Sequence, residues 1–517
     1  MSQSLLPQLW KQLQPSKHNK RQSTYSAPST TILLQNGLVI QHGEQDAIQV
    51  VENTDILIAD GVIKEVGISI KPPPHAEVID CSNKIISPGF INTNHHLWQT
   101  QLKGYGTDNC WLDYFSDDLL QSFNYTPQDI YWGQLAGCLE AIDAGTTFVL
   151  DHCHGCKSPE HDSGIRGVFA YGETFLNLQK WDTESCVPNA MSISESFINH
   201  VEDLAQRGPF GNGCVNVGIS FDGYHMPQQE VEKLFRRTLK AGVKFITSHS
   251  GNFGKPIMTN NMAKADKIGP SVPKALEKYS LFPGPEDDYT IVISHGNYMD
   301  DEDFSILKKH RVPLACTPAT EAQGSMGWHL LFEPGLITAL GADCHCLTSS
   351  SLMQAARTAL LFSRLQKTLE YKEKGQKIDK FDQTSHDVFN KAAIEAARAV
   401  GMESEIGSIS VGKRADVVIF SRDQSLAFGA SAREEPVAAI VTYSEARDIE
   451  AVLVDGCFRK RDGKMVPVVT DGKDIGIDQV LKELDQSQKD IRLRRGGSCN
   501  TSISKGLVCS IAQPGQA

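Results

Sequence analysis

The stretch Pro88-Gly89-Phe90-Ile91-Asn92-Thr93-Asn94-His95-His96-Leu97-Trp98-Gln99 decides how the rest of the chain reads. A hydrophobic run, Lys84-Ile85-Ile86-Ser87, empties into it, and the stretch closes on a polar, imidazole-bearing tip. A strand that ends in this way presents ligands. Alternate side chains of a strand share a face, so Asn94 and His96 are expected to point together and His95 the other way, unless the strand is bulged.

Working outward, 517 residues are too many for one small core and suit one large domain with a smaller one attached. Hydrophobic residues at 40% and charged residues at 22% are globular values that exclude a disordered or collagen-like chain. A formal net charge of −12 argues against nucleic acid and against an anionic membrane surface, and favours a neutral or cationic small-molecule substrate. No run of about 18 apolar residues appears, and the polar N-terminal segment lacks the apolar core of a secretory signal, so a cytoplasmic protein is expected. The 13 cysteines include one CxxC pair, Cys153 and Cys156, with no second pair to complete a zinc finger. They read as reduced, mostly buried thiols, and nothing in the composition excludes a homo-oligomer.

In chain order, residues 1–30 read as a flexible arm with at most a short helix over 5–13. Residues 31–85 carry short β-runs, with Asp60-Gly61 between two of them as a hairpin signal. Matching β-runs return in 401–470, at 407–420 and 451–456. Neither segment covers its apolar face alone, so the two are expected to form one β-sandwich around the domain at 86–400, followed by a C-terminal helix and tail at 471–517. Between the flanks, apolar runs at 145–150, 215–220, 243–247, 290–293, 312–315 and 337–341 alternate with helical stretches such as 228–241 and 351–371. That rhythm predicts an α/β fold, a parallel (β/α)8 TIM-type barrel whose active site lies at the strand C-terminal ends.

A census of those ends finds His96, His249, His295 and Asp343, each closing an apolar run. Singly, each has a bland reading: a strand-end His is more often a hydrogen-bonded structural residue, and the Asp caps a helix. Together, and with Gly407-Ser408-Ile409-Ser410-Val411-Gly412-Lys413-Arg414-Ala415-Asp416 near the far end, the Pro-Gly-Phe-Ile-Asn-Thr-x-x-His, Ser294-His295-Gly296 and Gly341-Ala342-Asp343 motifs resemble the amidohydrolase superfamily. The resemblance runs over roughly residues 32 to 470 and is to the cytosine-deaminase-like and chlorohydrolase-like branch.

The resemblance implies a divalent metal, zinc, held by His96, His249, His295 and Asp343, with Asn94 in the place of a further histidine ligand. It also implies the activity, a metal-dependent hydrolase acting on a C–N bond of a small cyclic compound. Asp343 would take the proton of the attacking water, and His295 would bind metal or polarise the substrate. Two departures stand out. Asn94 offers an amide where imidazole is the better zinc donor, and Asn252 stands where those branches carry a proton-shuttling glutamate. Glu321, past the run 312–315, is the candidate replacement acid. Trp98, Gln99, Asn252 and His345 are the candidate substrate contacts, with Trp111 and Tyr114 in the same loop region as aromatic wall or as packing. Asp151-His152-Cys153-His154 lines the pocket, binds a second metal or packs. The rival reading keeps the barrel without hydrolysis, as a lyase or a metal-free binding protein.

Overall fold

The computed structural model describes residues 31–110, 114, 124–154, 160–172, 192–224, 226–250, 270–423, 425–429, 431–470 and 472–495. The arm 1–30, Trp111, Cys156, Asn252 and the tail past 495 lie outside the described residues. Among the described residues, eight strands are paired in chain order: Phe90–His95, Thr146–Cys153, Arg166–Tyr171, Val215–Ser220, Phe245–His249, Thr290–Ser294, Leu314–Cys316 and Thr338–Leu340. Every ladder between neighbours is parallel. Val149, Ile219, Ile246, Ile291 and Ile293 pack outward with the surrounding helices, whereas Ile91, Phe148, Leu150, Val168 and Val292 share a separate inner core. Burial of both faces is why these strands read as continuous apolar runs.

The eighth strand closes on the first through residues of the expected site. The Asp343 N–H donates to the Asn94 carbonyl at 2.8 Å, and the His96 N–H donates to the Asp343 carbonyl at 3.2 Å. This approach needs glycine at 341, where a Cβ would stand 3.0 Å from the Asn94 carbonyl oxygen and 3.1 Å from its nitrogen.

The strand ends also fall further along than the apolar runs suggest, so His249 and the Asp151-His152 pair lie inside strands. The third strand, Arg166–Tyr171, is absent from the sequence expectation, because it opens on a charged residue. Arg166 is buried against the small domain, with Nε donating to Asp416 Oδ2 at 2.7 Å and a terminal nitrogen to Asp455 Oδ1 at 3.0 Å. Helices at Gln228–Lys240 and Leu352–Glu373 fall where the periodicity placed them.

Both chain ends enter one nine-stranded sheet. Lys84–Pro88 is its junction, parallel to Ile32–His42 on one side and antiparallel to Val417–Ser421 on the other. Residues from both ends, among them Ile32, Leu34, Ile56, Ile86, Val417, Ile419 and Leu453, share its core. Asp60 and Gly61 have φ of 54° and 74°, the doubly left-handed turn that matches strand twist in a hairpin. The run Lys84-Ile85-Ile86-Ser87 is therefore a strand of the small domain, so the expected division at 85/86 is corrected to Gly89, where the chain passes into the barrel. Within 407–420, only the part from Val417 onward is a strand. The helix Ile477–Arg495 packs on Pro127–Asp143 and holds the segment after the first barrel strand, with Gln488 Nε2 donating to the Thr100 carbonyl at 3.0 Å.

Candidate active site

The first barrel strand carries one more residue than its partner between Asn92 and His95, a bulge, and His96 starts the short helix Leu97–Leu102 as its N-cap. Even so, the two sides separate. Asn94 Nδ2 donates to Asp343 Oδ1 at 3.1 Å, and His96 Nε2 lies 3.0 Å from the same oxygen. His95 turns away, its Nδ1 2.7 Å from the Asp343 carbonyl oxygen and its ring centroid 4.7 Å from that of His345.

Each inner imidazole is oriented through Nδ1. His96 Nδ1 donates to the His152 carbonyl at 2.6 Å, and His249 Nδ1 donates to Asp222 Oδ2 at 2.8 Å, while Asp222 Oδ1 accepts the His249 backbone N–H at 2.7 Å. With Nδ1 spent as a donor, a ring that carries only that proton presents a lone pair at Nε2. These two Nε2 atoms face each other at 3.3 Å, beside the Asp343 carboxylate. Three such groups this close need a proton or a metal ion between them, and imidazole, imidazole and carboxylate are zinc ligands.

His295 joins from the sixth strand, its Nε2 3.9 Å from Asp343 Oδ2 and within the same group of candidate ligand atoms as His249 and Asp343. Its Nδ1 lies 3.1 Å from Thr317 Oγ1 and 3.4 Å from Glu321 Oε1, and Glu321 also accepts the Thr317 backbone N–H at 3.0 Å. Asp343 Oδ2 and Asn94 Oδ1 are buried and accept no hydrogen bond. His295 and Asp343 both have left-handed backbones, with φ of 74° and 57°, the kind of locally costly conformation that persists where surrounding structure fixes it.

Burial works to raise the Asp343 pKa, but His295, His96 and His249 more than offset it and hold the carboxyl below the usual carboxylate range. Burial pushes His95, His152 and His154 well below the ordinary imidazole value, so these rings are neutral near pH 7. His295 moves the other way: burial lowers it, yet Asp343 and Glu321 together raise it more.

The structure therefore brings His96, His249, His295 and Asp343 together and gives three other expected residues different surroundings. Asn94 spends its amide N–H on the Asp343 carboxylate rather than filling an imidazole's place. Glu321 meets the Nδ1 side of His295, opposite the cluster. His345 is turned outward, 3.1 Å from Thr100 Oγ1 and 3.3 Å from Glu140 on the surrounding helix, which corrects its expectation as a substrate contact. Trp98 and Gln99 are fully buried, bonded to His154 Nδ1 at 3.3 Å and to the Tyr114 hydroxyl at 2.5 Å. The sequence reading passed over Asp222. It stands two residues past the fourth strand, a strand-end carboxylate in barrel order, and that was the available signal. His152 flanks the cluster from the second strand, 3.5 Å from Asp222, and groups with Asp222 and His249.

A strand-end cluster of imidazoles and a carboxylate on such a barrel is the architecture of a metal-dependent hydrolase, and the comparisons agree. The Amidohydrolase family profile matches residues 85–466, so the chain belongs to that family. It is 24% identical to a 5'-deoxyadenosine deaminase of Methanocaldococcus jannaschii over 423 residues, covering 80% of this chain and 92% of that one. It is 24% identical to a 5-methylthioadenosine/S-adenosylhomocysteine deaminase of Thermoanaerobacter pseudethanolicus over 496 residues, covering 89% and 99%. An adenosine deaminase from Xanthomonas campestris, solved with bound zinc, superposes with a TM-score of 0.67 at 15% identity over 90% of this chain and 99% of that one.

Proposed function

We propose that this chain is a zinc-dependent hydrolase that cleaves a C–N bond of a small cyclic compound, releasing ammonia from an amino-substituted ring of nucleoside type. The observation that carries the reading is the facing pair of His96 and His249 Nε2 atoms at 3.3 Å, with Asp343 beside them. The named reactions of the relatives support the bond and the ring; they lend nothing to a lyase or a metal-free binder.

His96, His249 and Asp343 would hold the ion, with His295 alongside. When bound, a divalent ion lowers the pKa of water to about 7 and polarises the ring carbon. Asp343 accepts the water proton at Oδ2, which has no competing hydrogen bond. His295, fixed at Nδ1 by Thr317 and Glu321, steadies negative charge that develops at the attacked carbon's substituents. Asp222 keeps His249 in the Nδ1–H tautomer.

The test is elemental analysis of protein purified without chelators, joined to an ammonia-release assay on adenine nucleosides and their 5'-substituted forms. About one zinc per chain with ammonia release is the expected result. Near-zero metal after growth in several metal-supplemented media, with no ammonia released, would return the chain to the binding-protein reading.

A further inference from the structure

The eighth-strand loop carries a second possible donor that the mechanism above does not use. Cys344 directly follows Asp343, is 1% exposed, and offers a sulfur within 4.8 Å of the ligand atoms of both His96 and Asp343, which lie equally close to each other. We propose that Cys344 is a zinc ligand through its thiolate and supplies the donor that the first strand lost when asparagine took position 94. The inference rests on the metal centre proposed above.

Three observations carry it. The first is the donor deficit: Asn94 meets the cluster with an N–H, and a buried amide oxygen is a weak zinc donor in any orientation. The second is unspent bonding capacity at the same spot, since Asn94 Oδ1 and Asp343 Oδ2 are both buried without a hydrogen bond. The third is support around the sulfur. Cys344 Sγ lies 3.3 Å from the Tyr114 hydroxyl, and that hydroxyl accepts from Gln99 Nε2 at 2.5 Å. In the thiol form Cys344 donates to the Tyr114 hydroxyl, and once the thiol proton has left a hydroxyl at that distance can donate to the sulfur in turn, as an outer partner that orients a metal ligand. Thiolate is a strong zinc donor, so exchanging imidazole at 94 for sulfur at 344 keeps three donors, His96, Asp343 and Cys344, within reach of one ion. On binding, the S–H proton leaves to solvent and the sulfur lone pair forms the bond to zinc; no redox change is involved.

The experiment replaces zinc by Co2+ in the intact wild-type protein and records the near-ultraviolet spectrum, since sulfur bound to cobalt gives a strong charge-transfer absorption that nitrogen and oxygen ligands lack. The expected result is that band at one cobalt per chain, lost in Cys344→Ser and kept in Cys346→Ser, the neighbouring thiol that donates to Gln99. Cys344→Ser is also expected to weaken zinc binding by at least roughly 10- to 100-fold, the cost of removing even an outer partner of a ligand. Adding Asn94→His to Cys344→Ser is expected to recover most of that loss. A wild-type protein that binds one cobalt without the band overturns the inference and leaves the metal centre standing. A wild-type protein that binds no divalent metal overturns both. The wild-type spectrum decides the matter even if Cys344→Ser does not fold.

Discussion

Two groups of histidines lie within a few residues of each other at the mouth of this barrel, and they have opposite fates. His96, His249 and His295 turn inward, where the first two direct lone pairs at one another and all three crowd the Asp343 carboxylate. His95 and His345, next to His96 and two residues past Asp343, turn outward and are met by a carbonyl oxygen, by Thr100 and by Glu140, itself ion-paired to Lys103. The outer rings meet a carbonyl, a hydroxyl and a helix carboxylate, whereas the inner rings converge on one carboxylate and on each other. Counting histidines near a strand end therefore does not find a metal site; asking what each ring nitrogen faces does.

The comparison predicts its largest effect for the inner group. Replacing His249 and Asp343 together by alanine is expected to take metal content from about one per chain to near zero, since fewer than three of the expected donors remain. Inductively coupled plasma analysis of the two proteins, prepared side by side, checks this. Retention of one metal would place the ion outside this cluster.

A smaller loss is expected one step out. Asp222 accepts from both the ring and the backbone of His249, so Asp222→Asn leaves the shape intact but offers a poorer partner to the Nδ1–H. Zinc affinity is expected to fall roughly 10- to 100-fold, the usual cost of disturbing an outer-sphere carboxylate. Competition against a chelator of known affinity measures it, and an unchanged constant would show that Asp222 does not orient the ligand.

The outer group is expected to behave differently in kind. His345→Ala removes a buried ring that touches Thr100, His95 and Glu140, and is expected to destabilise the fold by about 1–3 kcal/mol through the partners it leaves unpaired. Zinc affinity is expected to stay within about threefold of wild type, well under the 1.4 kcal/mol of a tenfold change. Thermal unfolding and chelator competition on one preparation separate the two. Loss of metal with unchanged stability would mean that the inner and outer groups are not distinct.

Much of this was legible in the sequence, for reasons that particular residues make clear. The barrel announces itself because its strands are buried on both faces, and the candidate ligands because His249, Ser294-His295 and Asp343 come at or just past strand ends. The strand Arg166–Tyr171 stayed hidden because its first side chain is spent on a charged contact with Asp416 and Asp455 in the other domain. Neither segment shows that contact by itself. Strand alternation correctly set His95 apart from Asn94 and His96 despite the bulge. Asp222 was missed although its place just past a strand end was legible, because its partner, His249, comes from the next strand and that meeting is not written in the order of residues along the chain. His345 failed in the reverse sense, since proximity in sequence to Asp343 says nothing of which way a loop residue turns.

The smallest effect is expected at position 94, and it is the most informative about how the inner group is completed. Read from the sequence, Asn94 is a lost ligand, so Asn94→His ought to improve zinc binding at least about tenfold, or 1.4 kcal/mol. The structure lowers that expectation. The Asn94 amide already donates to Asp343 Oδ1, and an imidazole there gives up this bond while competing with a sulfur that reaches the same ion. Asn94→His alone is therefore expected to gain less than about tenfold in zinc affinity and to lower turnover, because a further donor occupies the position that water and substrate need. Chelator competition and steady-state rates on the single variant measure both quantities. A gain of a hundredfold with turnover intact would mean that the wild-type site is short of a ligand after all. It would also show that Cys344, for all its closeness to His96 and Asp343, does not make up the difference.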